Sequence, residues 1–574
     1  MKEKSADTSS LKPSTSLSTP SDISGCATTD VELAPALPLD LSGLQGLSLH
    51  EQKCVLVNRE LDAQGMGRYQ WYVWGLCGFG YFLDLMWAQA FSLCLSPLQQ
   101  ELGFSNSQSG RISTCFNAGL TAGALFWGFM SDIVGRRWAF NLTCLLSSIF
   151  GLVLGLSNSY TTFLVLTAFV GFGVGGNIPV DGAIFLEFVP QSRRFLLACL
   201  SVFQPLGVVA CSSLAFAFIP SHSCTPNFSQ HDALPSCRNS AAPCCARSNN
   251  MGWRYLLFTL GGITLFVFAA RFLVFTCRET PKFLIYQGQD QRAIETMRHV
   301  SHVNGNHCRL SLQVFEALDR EHQRLSDSAS DDDQGRKPPG VLVVSKPKWR
   351  LSQQLNRYKM LFSSWQMSRL TLLTWLTYIL DFSGFTVAGF YLPRILALKN
   401  GGAHVSLKFT YASYIYTYAP GIVGVLVGAW TCRIPRIGRK WTMVLASGLM
   451  GTSIFLLSQV DTVAKREGLF TLEYFFQSMF NAVLYGWTPE AFPAPVRGTA
   501  CGMASFWGRL FGIVSPLIAQ HLYGRSSSGN GDINSVLYLA GGVTLGCVIS
   551  TALLPTAMME TQDERSQKAQ VDAT

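Results

Sequence analysis

Asp84 stands in the middle of the apolar stretch CGFGYFLDLMWAQAFSLCLSPL, residues 77–98, which is as long and apolar as a membrane-spanning helix. A bare carboxylate at the centre of a bilayer costs about 2.5 to 3.5 kcal/mol on insertion scales. Ionisable residues at such a depth usually face protein groups or a water-filled cavity and mark pathways for ions or substrates. The position of Asp84 therefore indicates binding of an ion or a polar ligand.

Four further polar residues lie at a similar depth in other apolar runs. A helix rises about 1.5 Å per residue, which places these side chains about 14–20 Å from one face of a ~30 Å hydrocarbon core. Together with Asp84 they are Asn177, Asp381, Asn481 and Arg509. The sequence predicts that they surround one polar cavity near the membrane midplane, where transporters built from repeats bind their substrates.

The acids in these runs are expected to carry protons. Asp181 lies one turn from Asn177 on the same face of a predicted helix. The acids Asp84, Asp181 and Asp381 outnumber Arg509, so at least one carboxyl group has no visible cation. Burial without a cation favours the protonated form of a carboxyl group. We therefore expect Asp84 or Asp181 to bind and release a coupling proton.

The remaining polar residues near the membrane midplane are expected to bind the substrate, although two of them have alternative roles. Asn177 and Asn481 are expected to form hydrogen bonds with a substrate, and Arg509 to contact a carboxylate or hydroxyl of that substrate. Alternatively, Arg509 forms a structural ion pair with Asp84, in which each charge offsets the desolvation of the other. Asp381 is expected to contact the substrate, or else to reflect only an internal repeat of the chain.

The composition indicates an integral membrane protein. Hydrophobic residues make up 48% of the chain and charged residues 14%, whereas soluble proteins contain about a quarter charged residues. The net charge is +9, and the basic residues gather in short clusters at the ends of apolar runs. This arrangement favours contact with lipid head groups over nucleic acid. Runs of about 20 apolar residues predict twelve transmembrane helices, called spans 1 to 12: 72–98, 112–131, 138–157, 162–186, 195–219, 255–277, 368–394, 408–431, 441–460, 469–489, 498–521 and 533–555.

Two motifs recur at one offset along the chain. GRRW at 135–138 returns as GRKW at 438–441, and EFVPQSRR at 187–194 returns as EAFPAPVR at 490–497, each 303 residues later. The recurrence predicts a tandem duplication. The expected fold class is an all-α membrane protein with twelve transmembrane helices in two six-helix repeats.

The domain organisation follows from these runs and from the polar segments between them. The expected domains are a disordered cytoplasmic tail (1–70), an N-terminal six-helix bundle (71–277), a cytoplasmic linker (278–365), a C-terminal six-helix bundle (366–556) and a second cytoplasmic tail (557–574). Helix kinks are expected at the prolines in or at the ends of spans: Pro179, Pro205, Pro420, Pro489 and Pro516. Arg271, six residues from the end of span 6, is expected to extend to the membrane surface without a functional role.

The loop 220–251 between spans 5 and 6 carries the sequon Asn227-Phe-Ser229 and four cysteines. Glycosylation at Asn227 and disulfide bonds both belong to an oxidising, non-cytoplasmic compartment. Three disulfide pairings are possible among Cys224, Cys237, Cys244 and Cys245, and a bond between adjacent Cys244 and Cys245 is disfavoured. With basic clusters at the opposite helix ends, this loop predicts that both termini are cytoplasmic, with the plasma membrane as the expected location.

The motifs resemble those of a known family. GFMSDIVGRR, residues 128–137, resembles the loop 2–3 signature of the major facilitator superfamily, G-x-x-x-D-[RK]-x-G-R-[RK]. The segments 171–194 and 486–516 are similar to the sugar-porter-related branch that includes synaptic vesicle glycoproteins. The resemblance covers residues 70–555. Ile133 and Pro435 depart from the signature, and RETPKFLIYQGQ at 278–289 matches the sugar-porter motif after span 6 only in part.

The resemblance implies an inner gate at the helix ends that carry these motifs. In the families that the chain resembles, matching residues form ion pairs and helix-end contacts that lock this gate while the outer one is open. Such ion pairs are individually weak, which suits contacts that must break in each transport cycle. Alternatively, the arginines only set the orientation of the helices in the membrane. The matching residues are Asp132, Gly135, Arg136, Arg137, Glu187, Arg194, Glu490 and Arg497.

These features predict a secondary active transporter that moves a small polar organic solute, sugar-like or an organic acid, by alternating access and proton-coupled symport. The alternatives are a proton-antiport efflux pump for a drug or secondary metabolite, and a non-transporting receptor of the same fold. The sequence shows no ATP-binding motif, metal-ligand cluster or catalytic triad, so we expect no enzyme activity, cofactor or metal. The expected partners are the substrate, protons and membrane lipid, and the expected state is a monomer.

Overall fold

Twelve apolar segments form helices that correspond one by one to the predicted spans, although several are interrupted. By length and mean hydropathy, nine helical segments of the described residues can cross a membrane. The bounds for spans 1 to 6 are Arg68–Leu102, Gly110–Ile133, Arg136–Leu154, Tyr160–Val174 with Asn177–Phe188, Leu196–Leu200 with Phe203–Phe218, and Gly252–Ala269 with Ala270–Val274. Those for spans 7 to 12 are Trp365–Lys399, Leu407–Tyr418 with Pro420–Thr431, Gly438–Leu457, Val463–Ala491, Arg497–Gly524 and Ile533–Ala552.

The structure is a computed structural model, and it describes part of the chain. The described residues are 49–105, 108–224, 235–238, 244–274, 278–331, 358–399, 407–432, 434, 437–460, 462–492, 497–524 and 533–555. The side chains of Asp132 and Arg497, the sequon Asn227, Pro435 and the predicted tail 557–574 lie outside the described residues.

Proline explains three of the interruptions. A proline lacks a backbone N–H and its ring clashes with the carbonyl four residues earlier. Span 4 breaks at residues 175–176, four and three residues before Pro179, and span 5 breaks at 201–202 before Pro205. Span 8 divides directly before Pro420. At Pro489 and Pro516, by contrast, the helix continues through the proline.

The duplication predicted from the motifs is visible in how the helices pack. In the first half, span 1 packs against span 5, span 2 against span 4, and span 3 against span 6. In the second half, span 7 packs against span 11, span 8 against span 10, and span 9 against span 12. Each contact therefore recurs six spans later. The halves themselves meet through spans 2 and 11, spans 5 and 8, and the segment Leu196–Leu200 with span 10.

A helical layer lies at one end of the bundle, here called the linker end. It consists of the helix Leu49–Gln64 and the linker helices Pro281–Tyr286, Asp290–Asn304 and Leu312–Asp331. The buried Lys53 bridges Asp290 and Asp319 at 2.5 and 2.7 Å. The predicted disordered tail therefore differs from the structure over residues 49–64. The apolar face of that helix, Leu56, Val57 and Leu61, is too short to resemble a span, and it is buried against the linker.

The opposite end, here called the disulfide end, contains two disulfide bonds. Cys224 pairs with Cys245 and Cys237 with Cys244, which resolves the three pairings that the sequence left open. Beside them, the buried Arg254 at the start of span 6 pairs with Glu101 at the end of span 1, at 2.7 Å. Trp253 Nε1 also donates to Glu101, at 2.9 Å. These two contacts join the end of span 1 to the start of span 6, beside the loop.

We predict that Cys224→Ser releases one thiol only, that of Cys245. Cys237 and Cys244 stay bonded to each other, so alkylation without reductant followed by peptide mass spectrometry should label Cys245 and leave these two unlabelled. The variant should also lose about 3 kcal/mol of stability, the value expected for opening a loop of this length. Labelling of Cys237 or Cys244 in this variant would contradict the pairing.

Candidate functional site

The two halves meet at a buried pair of opposite charges. Asp84 of span 1 and Arg509 of span 11 lie 3.6 Å apart, from Oδ1 to Nη2. Asp84 is 8% exposed and Arg509 is 1% exposed. The Nε of Arg509 donates to Ser505 Oγ, one turn earlier in span 11, so the guanidinium is oriented by its own helix. A separation of 3.6 Å exceeds a normal hydrogen bond, so charge attraction is what joins the pair across the halves.

Asp381 of span 7 is equally buried but has a neutral partner. Gln477 Nε2 of span 10 donates to Asp381 Oδ1 at 3.0 Å. No ion pair among the described residues includes Asp381. Glu473, one turn before Gln477 and 8% exposed, lies near enough to interact with the charge of Asp381. Sequence reasoning missed both Glu473 and Gln477, because neither has a counterpart in a recognised motif.

A small cavity lies between the halves beside these residues. Its volume is about 10 Å³, close to the least that one water molecule needs. Asn481 lines it, as predicted for a residue of the polar centre, and the Oδ1 of Asn481 has no hydrogen-bond partner in the described part of the chain. The lining residues are Leu85, Ser201, Gln204, Pro205, Phe385, Val425, Tyr474, Gln477, Ser478 and Asn481.

Asn177 does not reach the lining of this cavity. It begins the second segment of span 4, directly after the break at residues 175–176. Its side chain is fully buried, and neither Oδ1 nor Nδ2 has a hydrogen-bond partner within the described residues. The predicted single cavity thus contains Asn481 in its lining, whereas Asn177 is buried outside it.

Arg271 corrects a prediction made from the sequence. It does not extend to the membrane surface: it is fully buried, and its Nη2 pairs with Asp181 Oδ2 at 2.8 Å. The same guanidinium donates to the backbone oxygens of Phe140 and Leu76, each at 2.9 Å. Distance from the helix end indicates depth but not the direction in which a side chain points, and here the π-helical turn Ala270–Val274 turns Arg271 inward.

This pair also changes the balance of charges. With Arg271 on Asp181 and Arg509 on Asp84, two of the three predicted acids have a cation, and Asp381 is the one without an ion pair in the described structure. The sequence predicted three buried acids against one arginine. This surplus indicated that a second buried arginine was needed as a partner. Both Asp181 and Arg271 belong to the N-terminal half.

The motif residues at the linker end form two related ion pairs. Arg136 at the start of span 3 pairs with Glu187 at the end of span 4. Arg439 at the start of span 9 pairs with Glu490 at the end of span 10, at 2.6 Å. Both members of the second pair follow those of the first by 303 residues. Each pair lies within one half, so any contribution to a gate acts through the helix ends of that half.

Glu279, in the segment after span 6, adds a third acidic group at this end. Its carboxylate accepts hydrogen bonds from the backbone N–H groups of Arg136 and Arg137, at 3.0 and 3.3 Å. Gly135 precedes them with a φ of +115°, and a Cβ there would lie 2.4 Å from Glu279 Oε2. Sequence reasoning did not assign a role to Glu279; the partial motif RETPKFLIYQGQ was the available signal. Arg194 follows the short turn Gln191–Arg193 at the same end.

The halves touch at both ends of the bundle. Toward the disulfide end, Tyr411 of span 8 donates to the backbone oxygen of Leu93 in span 1, at 2.8 Å. Toward the linker end, a Cβ on Gly486 would lie 2.7 Å from the Cβ of Ala198. Among the described residues, the halves therefore contact each other at both ends of the bundle. These residues include no group of three or more His, Cys, Asp or Glu side chains arranged to hold a metal.

Comparisons with a family model and with related proteins indicate the same family for this chain. The model of the Major Facilitator Superfamily matches residues 77–463. The MFS siderochrome iron transporter 1 of Ceriporiopsis subvermispora is 34% identical over 515 residues, which cover 88% of this chain and 91% of that protein. The synaptic vesicle 2-related protein of Xenopus laevis is 25% identical over 516 residues, covering 87% of this chain and 79% of that protein.

Solved structures show the same fold. The proton:xylose symporter XylE of E. coli superposes with a TM-score of 0.60 at 16% sequence identity. The match covers 86% of this chain and 98% of the symporter. The twelve helices in two six-helix repeats and the resemblance stated from the motifs are thereby confirmed.

We predict that Gly80→Ala disrupts the pair of Asp181 and Arg271. A Cβ at this position would lie 1.6 Å from Asp181 Oδ2 and 2.7 Å from Arg271 Nη2, so the pair must shift. Thermal unfolding in detergent should show a loss of about 1–3 kcal/mol, typical of overpacking. Gly75→Ala, in the same helix with nothing within 4 Å of its Cβ, is the control and should be neutral or slightly stabilising. Equal stability of both variants would contradict the prediction.

We also predict that Gly486→Ala loosens the linker end. The new methyl group would meet Ala198 across the halves, and a cost of about 1–3 kcal/mol for that contact favours any conformation in which the two helices separate. Site-resolved labelling by a membrane-impermeant maleimide should rise at least about fivefold at Cys199, which is next to the contact. Gly502→Ala, with no atom within 4 Å, should leave labelling unchanged. Unaltered labelling in Gly486→Ala would argue against closure through this contact.

Proposed function

Since the chain belongs to the major facilitator superfamily, whose members are membrane transporters and not enzymes, we propose that it moves a small polar organic solute by proton-coupled symport. The solute is sugar-like or an organic acid, and the two halves alternate in exposing the central site to each side of the membrane. The protein works as a monomer in the plasma membrane, with both termini cytoplasmic. The disulfide-bonded loop at the opposite end from the linker supports this orientation.

The observation that carries the proposal is the ion pair of Asp84 and Arg509. Among the described residues, it is the ion pair that joins one half to the other. Proton binding to Asp84 removes one charge, so the attraction that holds spans 1 and 11 together is lost. Proton release restores it. Movement of the halves is thereby coupled to the protonation of one buried carboxyl group.

Substrate binding follows from the same pair. When Asp84 is protonated, the guanidinium of Arg509 has no anionic partner and is available for a carboxylate or hydroxyl of the solute. Asn481, with an unpartnered Oδ1 at the cavity, contributes a hydrogen bond to the solute, and Asp381 contacts it from span 7. Asn177 contributes a hydrogen bond only in a conformation that opens span 4 toward the centre. Because the solute binds between the two halves, their closing around the site depends on the bound solute.

Asp181 is the second proton-binding candidate, and its surroundings favour a structural role. Arg271 lies within the same half and donates to two backbone oxygens as well as to Asp181. Protonating Asp181 would leave that arginine buried without its counter-ion, which is costly. We therefore assign coupling to Asp84 and the internal stability of the N-terminal half to Asp181.

The other residues of the proposal act at the linker end. The pairs of Arg136 with Glu187 and of Arg439 with Glu490 hold the ends of neighbouring spans, so that each half moves as a unit. Gly135, Arg137 and Arg194 belong to the same region, and we propose that Asp132 and Arg497 contribute to the gate there as well.

The test is solute flux into liposomes that contain the purified protein. A one-unit pH gradient can concentrate a solute about tenfold when one proton is coupled. We expect gradient-driven accumulation of a sugar or a carboxylate by the wild type, and no accumulation by Asp84→Asn, which cannot be protonated. Exchange of labelled for unlabelled solute should persist in the variant, because exchange needs no net proton movement.

Glu295→Gln, which removes an exposed carboxylate of the linker helix Asp290–Asn304, is the matched control and should accumulate solute as the wild type does. Accumulation retained in Asp84→Asn would refute the coupling role of Asp84. Solute movement against the proton gradient would favour the efflux pump, and the absence of flux for every solute would favour the receptor.

A further inference from the structure

Span 10 presents three polar side chains on one face. Glu473, Gln477 and Asn481 are spaced four residues apart, so they lie one above another along the helix. Gln477 holds Asp381 of span 7 through its Nε2 at 3.0 Å, and Asn481 lines the cavity between the halves. Glu473 continues this face toward the disulfide end. The four residues form one cluster, here called the acidic cluster.

The acidic cluster has two buried carboxyl groups and no arginine or lysine in ion-pair contact among the described residues. Asp381 is 2% exposed and Glu473 is 8% exposed. Arg509 has Asp84 as its ion-pair partner. Arg466, seven residues before Glu473, donates through its Nε to the backbone oxygen of Val460. The cluster therefore attracts positive charge that these protein residues do not supply.

A second observation points to a ligand. Gln477 is 2% exposed and lines the cavity, and its Oε1 has no hydrogen-bond partner within the described part of the chain. A buried amide oxygen without a donor costs about 1–3 kcal/mol, so a donor is expected to occupy this place in some state of the protein. The Oδ1 of Asn481, also at the cavity, lacks a donor as well.

Aromatic rings adjoin the same cluster. Tyr418 and Tyr474 are both buried, their ring centroids are 4.7 Å apart at an angle of 76°, and both lie near enough to Glu473 to interact with its charge. Tyr414 stacks on Tyr418 at 6.4 Å. Tyrosine faces attract ammonium groups, most strongly where water is excluded.

We propose that the acidic cluster and these tyrosines bind an ammonium group of the transported solute, an inference that rests on the proposed transport function. Glu473 and Asp381 supply the negative charge, the Oε1 of Gln477 accepts a hydrogen bond from an N–H group or faces the positive end of a methylated ammonium, and Tyr418 and Tyr474 cover it with their rings. Arg509, whose Nη1 has no hydrogen-bond partner within the described residues, is placed to take a carboxylate of the same molecule. The organic acid of the proposed function is then one that also carries an ammonium group.

The first test uses the unmodified full-length protein and two probes of equal shape. Choline carries a quaternary ammonium group. Its neutral isostere, 3,3-dimethylbutan-1-ol, has carbon in place of that nitrogen. Competition against labelled choline should show that choline binds at least about tenfold more tightly than the isostere. Equal affinities would overturn the proposal, and so would binding of sodium ions without any binding of choline.

Variants then locate the site. Glu473→Gln and Asp381→Asn should each weaken choline binding at least about tenfold, as expected when one partner of a buried charge contact is removed. Glu473→Asp should recover part of the affinity, because it keeps the charge. Glu467→Gln, six residues earlier on the same helix at a more exposed position where the carboxylate accepts from Tyr416, should bind choline within about twofold of the wild type. Unchanged affinity in both Glu473→Gln and Asp381→Asn would overturn the assignment.

The two proposals fail in different ways. Proton-driven flux of a neutral or purely anionic solute, without choline binding, would retain the transport function and reject the ammonium site. Choline binding that Glu473→Gln weakens, without flux of any solute, would retain the ammonium site and reject transport. Melting temperatures of the variants, measured in parallel, separate a lost contact from a lost fold.

Discussion

A charged group in the middle of this helical bundle has little water to solvate it, so another protein group must compensate it. Arg271 is compensated by Asp181, and Arg254, which is buried nearer the disulfide end, by Glu101. These contacts join span 6 to spans 4 and 1. A buried ion pair adds little stability over an apolar pair of the same shape, but separating its members is costly. Such pairs therefore determine which helices stay neighbours, and both keep the N-terminal half intact.

Compensation is incomplete where the halves meet. Asp84 and Arg509 are 3.6 Å apart, farther than a hydrogen bond. Asp381 has an amide as its hydrogen-bond partner, and the nearby Glu473 shares its sign of charge. The weakly compensated charges thus lie at the boundary, whereas the fully compensated ones lie within a half. This distribution suits the proposed alternating access, since each half must stay rigid while the contacts between them change.

The duplication supplies a common frame but not a symmetric site. The two ion pairs at the linker end are related by the offset of 303 residues, and so are the contacts between spans. The central charges are only partly related: the offset of 303 places Leu484 opposite Asp181, whereas spans 1 and 7 are offset by 297 residues, which places Asp381 opposite Asp84. One half thus contributes a fixed internal pair and the acid of the bridging pair. The other contributes its arginine and the acidic cluster.

The sequence by itself determined the twelve spans, the duplication and the depth of Asp84, Asp381 and Arg509. Membrane thickness sets the length of an apolar run, a repeat leaves matching motifs, and the helical rise converts residue number into depth. The bounds of the domains remain predictions from the sequence, apart from the helix found at residues 49–64. Which way a side chain points, and toward which neighbour, was decided only by tertiary structure. Depth is a property of one helix, whereas the inward turn of Arg271, the contact of Glu279 with span 3, and the joining of Asp381 to span 10 depend on how several helices pack together.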